Sequence, residues 1–229
     1  EQGRMIVPKA MKKTEPAPPG NGRGANDRKP REKRWQEILK AAAEVFYEKG
    51  YDAATLQEIA DRVGILKGSI YYYIKTKSDL LDHLLTEVHN EGVAMIRQRS
   101  EESGTVFDKL EAMFRGHIDY MCRNQAKSTV YLHELKALDP KRRESLFRGH
   151  EFRDEFLALI KKGQAEGLIL DSLDPKLTAQ TMMGWTNSLY QWYRPQPRKP
   201  MDQIANHFVT IMLRGIATAK GLELLRADR

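Results

Sequence analysis

The stretch TLQEIADRVGILKGSIYYYIKTKSDLL, residues 55–81, decides how this chain folds. Thr55 followed three residues later by Glu58 reads as a capping box, in which hydroxyl and carboxylate each satisfy a backbone N–H left free by the first helical turn. The helix it opens stops at Gly64, which can take the left-handed backbone of a helix end. Ala60 is small where two helices must cross closely, and Ile59, Val63 and Ile65 supply a buried side.

A second short helix carries Tyr71, Tyr72 and Tyr73. A helix turns about 100° per residue, so the three rings fan across about 200° and cannot share one core. With Ile70 and Ile74 turned inward, Tyr72 lies opposite them and Tyr71 and Tyr73 fall at the boundaries. Gly68 and Ser69 share the outer half with Tyr72, and Lys67 and Lys77 bracket the segment. Helix, glycine turn and helix have the proportions of a helix-turn-helix, whose second helix enters the major groove. There Gly68 permits close approach, Ser69 bonds phosphate or base, Tyr72 offers ring and hydroxyl, and the lysines meet phosphates. The bland alternative, with rings in the core and lysines merely solvated, stays open on these residues alone.

Working outward, the apolar pattern from about Lys33 is helical almost everywhere, with no sustained strand alternation, which predicts an all-α protein. Ile38, Leu39, Ala42, Val45 and Phe46 mark a first helix ending at Gly50. A fourth, capped by Ser78, runs through Leu80, Leu81, Leu84, Leu85 and Val88 toward Arg99, long enough to pass from one domain into another. Helical stretches follow at 105–124 and 127–137, then a long one from Asp139-Pro140 to near Gly167 and another from Asp174-Pro175 to about Tyr193. After RPQPRKP the last helix carries Ile204, Phe208, Ile211, Met212, Leu213 and Ile216.

The chain has 229 residues, 41% hydrophobic and 30% charged, with a net charge of +7. That charge is uneven: residues 1–34 hold ten Lys or Arg against four Asp or Glu, a net of +6. Residues 1–30 also hold five of the ten prolines and lack apolar periodicity, so they are expected to be a disordered basic arm. Residues ahead of Met5, the first methionine, are expected to be a cloning remnant. A basic arm before a near-neutral body suits an anionic partner such as DNA, though a solubilising tail has the same composition. No run approaches the ~18 apolar residues of a membrane helix and no secretory signal is visible, so a cytoplasmic protein without membrane partner is expected. Cys122, the single cysteine, excludes an internal disulfide and reads as a core residue, with a sensing thiol as the alternative.

The span 35–81 resembles the DNA-binding half of the TetR family of bacterial transcriptional regulators. Thr55, Glu58-Ile59-Ala60, Gly64-Ile65, Gly68-Ser69-Ile70-Tyr71, the aromatic before Ile74, Lys77 and Asp79-Leu80 recur at that family's spacing. The resemblance implies domains at 31–78, for DNA binding, and 79–229, for ligand binding and dimerisation. It implies that Thr55 and Tyr73 hold phosphates, that Lys67, Gly68, Ser69, Tyr71 and Tyr72 meet the major groove, and that Lys77 anchors the backbone. Many members have Ser or Thr where Leu66 stands, so that helix cap is absent here.

The resemblance further implies a homodimer through the last two long helices, a double-stranded palindromic operator, and a small hydrophobic inducer that releases it. Gly215 and Ala217 would allow close helix approach at such an interface, and an intrachain core explains them almost as well. The inducer cavity is sought among Phe114, His117, Met121, Tyr131, Trp185, Leu189, Trp192 and Tyr193, although any one such residue is more often core than ligand contact. The QWYRPQP and TVYLHELKAL segments look like the actinobacterial branch that senses acyl-CoA thioesters from lipid or sterol breakdown. With such a ligand Arg194, Arg198 and Lys199 would meet its phosphates. No cofactor or metal is implied.

Two rival classes remain. An enzyme is disfavoured because GxSxG, GxxxxGK, HExxH and paired-cysteine motifs are absent, and His83, His89, His117, His133, His150 and His207 show no ligand spacing. A helical interaction module without DNA function would show no salt-dependent affinity for a duplex.

Overall fold

A computed structural model of the chain describes the backbone of residues 25–147, 152–194 and 201–227, with side chains from residue 31 to 226 over the same spans. The described residues form twelve α-helices and one 3₁₀ turn, and the only strand-like feature among them is an isolated bridge between Ile169 and Ala217. The helices are α1 Ala25–Lys49, α2 Leu56–Val63, α3 Lys67–Ile70, α4 Lys77–Ser100, α5 Val106–Arg123 and α6 Gln125–Glu134. They continue with α7 Pro140–Phe147, α8 Phe152–Ala165, α9 Pro175–Asn187, α10 Leu189–Trp192, α11 Met201–Ile216 and α12 Ala219–Ala227. The protein is all-α, as its periodicity predicts. Among the described residues no helix is long and apolar enough to cross a membrane.

Several boundaries differ from expectation. Residues 1–24 of the anticipated arm lie outside the described residues, but 25–30 are already helical, Pro30 included. Pro30 is the sixth residue of α1, past the first turn where proline costs nothing, and the Lys, Arg and Glu around it are good helix formers that favour the helix despite it. The fourth helix is capped by Thr76, not Ser78: its hydroxyl accepts from Asp79 N at 3.1 Å while Asp79 accepts from Thr76 N at 3.0 Å. The run expected from Pro140 to Gly167 is two helices, α7 and α8, and the run from Pro175 to Tyr193 breaks at Ser188. One more helix, α12, follows the one expected to be last.

Two cores organise these elements. In the first, Ile38, Leu39, Ala42, Val45 and Phe46 of α1 meet Ile59, Ala60, Ile70 and Ile74, and α4 closes it with Leu80, Leu81, Leu84, Leu85 and Val88. Full burial of such side chains is worth ~1.5 to 3 kcal/mol each. Val130 and Tyr131 of α6 join this same cluster. In the second, Phe107, Leu110, Met113 and Phe114 of α5 meet Phe156, Ile160, Met182, Val209 and Leu213, and Ile96 of α4 packs there. Helix α4 thus belongs to both cores, so an expected boundary at residue 78 divides an element from the domain it closes. Cys122 is half-buried, and burial raises its thiol to about 11, which fits the packing reading and not a reactive thiolate.

Candidate nucleic-acid interface and regulatory cavity

Helix α2 begins as its sequence dictates. Thr55 accepts from Glu58 N at 3.3 Å, and Glu58 accepts from Thr55 N at 2.9 Å. Lys49 of α1, then Thr55, hold the Glu58 carboxyl down to about 2, below the usual carboxylate range. At the other end Gly64 takes φ 71 and ψ 38, its N–H reaching back to Ala60 and Asp61. Arg62 forks onto Glu48 at 2.8 and 2.7 Å, tying α2 to α1.

Helix α3 starts at the uncapped Leu66, which is exposed, and keeps α geometry only over Lys67–Ile70. The tyrosines lie in the tightened turn beyond it, where Tyr72 N bonds Ser69 O at 3.3 Å and Tyr73 N bonds Ile70 O at 2.8 Å. A missing side-chain cap and a following Tyr-Tyr-Tyr run both disfavour a longer helix. The angular reading survives this tightening: Ile70 and Ile74 are buried, Tyr72 is 81% exposed and Tyr71 51% exposed. Tyr73 is partly buried and stacks on Trp35 of α1, ring centroids 5.7 Å apart. Lys67 and Gly68 are exposed, Ser69 is intermediate, and a Cβ added at Gly68 would touch nothing in the chain.

Lys77 departs from expectation. Its ammonium donates to three backbone carbonyls, Tyr51 at 2.8 Å, Asp52 at 3.1 Å and Ala54 at 2.9 Å, and sits 4.5 Å from the Tyr51 ring centroid. The side chain therefore braces the α1–α2 loop from within, leaving only its backbone at the start of α4 for an anion. The loop turns the carbonyls of Tyr51, Asp52 and Ala54 toward one point, where an ammonium with three donors satisfies all of them, which is the physical cause of the difference.

In the regulatory half the expected cavity residues separate. His117, Met121 and Tyr131 line a small cavity of about 50 Å³, together with Val88, Tyr120, Ser128, Leu132, Phe152, Met183 and Asn187. Phe114 packs on Phe156 in the second core, and Leu189 and Tyr193 form a third cluster with Ile118 and Ala205. Trp185 and Trp192 are 44% and 50% exposed, and Arg194 is exposed. None of the three lines this small cavity: Trp185 falls beside the inner stripe of α9, which is Ala179, Met182 and Thr186, and Trp192 on α10 stacks on Phe208. Arg198 and Lys199 lie outside the described residues.

His117 is buried with Thr186 Oγ1 3.0 Å from its Nδ1, and burial lowers its pKa to about 4, so it is neutral at physiological pH. His89 and Tyr131 meet at 3.0 Å beside it. Phe152 fills the space between these groups, packing against His89, His117 and Tyr131 with centroids 5.3, 6.1 and 6.3 Å away. Sequence reading missed Phe152, which carries no motif, and Ser128, whose buried hydroxyl has no hydrogen-bond partner among the described residues.

Outside, Trp185 and Leu177 of α9 and Ile211 of α11 are exposed along a shallow groove of about 420 Å³. Gly215 lies open on that face, while Ala217 is buried inside the chain at the Ile169 bridge.

Known proteins agree with this arrangement. Residues 38–84 match the family of bacterial regulatory proteins, tetR family, and residues 103–216 match the tetracyclin repressor-like C-terminal domain. The chain is 26% identical over 190 residues to the HTH-type transcriptional repressor KstR2 of Mycolicibacterium smegmatis, covering 82% of this chain and 93% of that protein. In structure it is similar to the ketosteroid transcriptional regulator KstR2 of Mycobacterium tuberculosis, with TM-score 0.74 and 27% identity over 81% of this chain and 95% of that one. A tetR-family regulatory protein from Rhodococcus RHA1 gives TM-score 0.75 and 26% identity, covering 82% and 98%. With a helix-turn-helix at one end and a matching regulatory half at the other, the chain belongs to the TetR family: it is a DNA-binding transcriptional regulator and not an enzyme.

Proposed function

We propose that the chain is a ligand-responsive repressor that binds a palindromic operator as a homodimer and is released by a small hydrophobic inducer. The observation that carries this reading is Tyr72, a large aromatic ring 81% exposed in the turn that follows α3, between the buried Ile70 and Ile74 in sequence. Such exposure is costly in water and useful against base edges and sugars. Lys67, Gly68, Ser69 and Tyr71 accompany Tyr72 in the groove, and Thr55 and Tyr73 take flanking phosphates. A second copy covers the groove of Leu177, Trp185, Ile211 and Gly215, through α9 and α11, and so presents two α3 helices to two half-sites.

Only about 50 Å³ is free between His117, Met121 and Tyr131, whereas a drug-sized ligand needs ~300 Å³ or more. The inducer therefore enters by displacing Phe152, whose ring abuts Gly92 of α4, the helix that closes the DNA-binding core. A differential affinity of ~1 to 3 kcal/mol between the two arrangements changes operator affinity 5- to 150-fold. The similarity to a ketosteroid transcriptional regulator supports an inducer of the lipid or sterol class, an acyl-CoA thioester in our reading, with Arg194 outside the cavity available to its phosphates.

The test is a duplex selected from a random pool. The protein should protect an inverted repeat, bind it less tightly between ~50 and 200 mM salt, and lose specific binding in Tyr72→Ala at unchanged melting temperature. Equal loss of stability and binding in that variant would count against the assignment. A co-purified mass in the native protein would identify the inducer class.

A further inference from the structure

Beside α3 stands a column of side chains that the helix-turn-helix itself does not require. His83 meets Trp35 edge-on at 5.2 Å, Trp35 stacks on Tyr73 at 5.7 Å with planes 9° apart, and the Arg31 guanidinium carbon sits 5.8 Å from the Tyr73 ring centroid. These residues and Glu32 line an open hollow of about 400 Å³. Arg31 is exposed and, among the described residues, has no carboxylate partner, whereas Arg34 is paired with Glu37 at 2.8 Å.

We propose that Arg31 is a further DNA-backbone contact, held over Tyr73 so that its guanidinium meets a phosphate beside the recognition turn. The proposal rests on the DNA-binding reading above. A guanidinium that lies over a ring spends its π face on that ring and keeps its in-plane N–H donors for an oxyanion, which suits the two oxygens of a phosphate. Tyr73 is partly buried at the edge of the face on which Tyr72 is exposed, so the cation stands at the margin of that face. Stacking also confines a side chain that would otherwise lose much rotamer freedom on binding. A contact to phosphate carries no sequence information, so Arg31 adds affinity equally to operator and unrelated DNA.

The experiment uses the full chain, the selected operator and a generic B-form duplex, each titrated across salt. Arg31→Gln should make the log–log salt dependence shallower by about 0.9 for each Arg31 engaged, on both duplexes, with the melting temperature of the free protein unchanged. Arg31→Lys should restore the slope and only part of the affinity, because an ammonium lacks the planar fork. A wild-type slope in Arg31→Gln overturns the proposal, as does a lowered melting temperature with the slope retained, which would assign Arg31 to folding. If the wild-type chain itself binds neither duplex with salt dependence, the DNA-binding reading fails instead.

Discussion

Phe152 of α8 occupies the notch that glycine leaves at position 92 of α4: a Cβ built on Gly92 would overlap Cε1 and Cζ of the Phe152 ring. The contact joins the cavity to the helix shared by both cores. Phe152 packs on His117 and Tyr131 on one side and on Gly92 on the other, so a ligand that moves the ring changes how α8 seats on α4. Packed interiors shift between discrete arrangements and do not deform smoothly, which makes such a contact suited to a switch.

Gly92→Ala should therefore evict Phe152. Overpacking of this kind typically costs ~1 to 3 kcal/mol, read as a lower denaturant midpoint with unchanged slope. If eviction reproduces the displacement proposed for the inducer, operator affinity should fall even without ligand. Wild-type stability in the variant would mean that the ring has an easy alternative position and is no coupling element.

Gly68 poses the reverse case. It lies in a helix with open space around its Cα, so nothing in this chain requires glycine there, and glycine costs a helix ~0.5 to 1 kcal/mol relative to alanine. Gly68→Ala should raise the melting temperature of the free protein slightly and weaken operator binding. Improved stability with unaltered DNA affinity would remove Gly68 from the interface.

How much of this was legible in the sequence follows from how local each signal is. The Thr55–Glu58 box, the Gly64 turn and the outward Tyr72 depend on residues within one or two turns of each other, and spacing alone places them. Thr76-x-x-Asp79 is equally local, but the neighbouring Ser78 is as good a cap in isolation. The acceptors of Lys77 come from 23 to 26 residues earlier in the chain, which no periodicity encodes. Trp185 and Trp192 show a deeper limit: an apolar side chain suggests burial, yet both are about half-exposed here, and spacing alone does not tell which apolar residues fall outside the inner stripe.

Lys77 gives a prediction that separates folding from DNA binding. Charged hydrogen bonds to backbone carbonyls contribute ~1.5 to 3 kcal/mol each when well buried, and here the site is half-exposed, so a total near the value for one such bond is expected. Lys77→Met should lower stability by ~1.5 to 3 kcal/mol in chemical denaturation while leaving the salt slope of DNA binding nearly unchanged. A shallower slope at wild-type stability would return the ammonium to the phosphate backbone.

His117 links the cavity to pH. Burial lowers its folded-state pKa from 6.5 to about 4, so between those values the unfolded chain takes up a proton that the folded chain refuses. Stability from this residue is therefore complete above about pH 6.5 and is lost as pH falls toward 4, by ~3 kcal/mol at most. Denaturant titrations at pH 7.5 and at pH 4.5 should show that loss in the wild type, superimposed on the carboxylates' own contribution. His117→Asn has no ionisable group at this position and places an amide where Nδ1 stands, able to donate to or accept from Thr186 Oγ1, so its stability should fall less over the same interval. Parallel pH curves for the two proteins would show that the imidazole gains its proton as readily folded as unfolded, and that the cavity is wetter than its packing indicates.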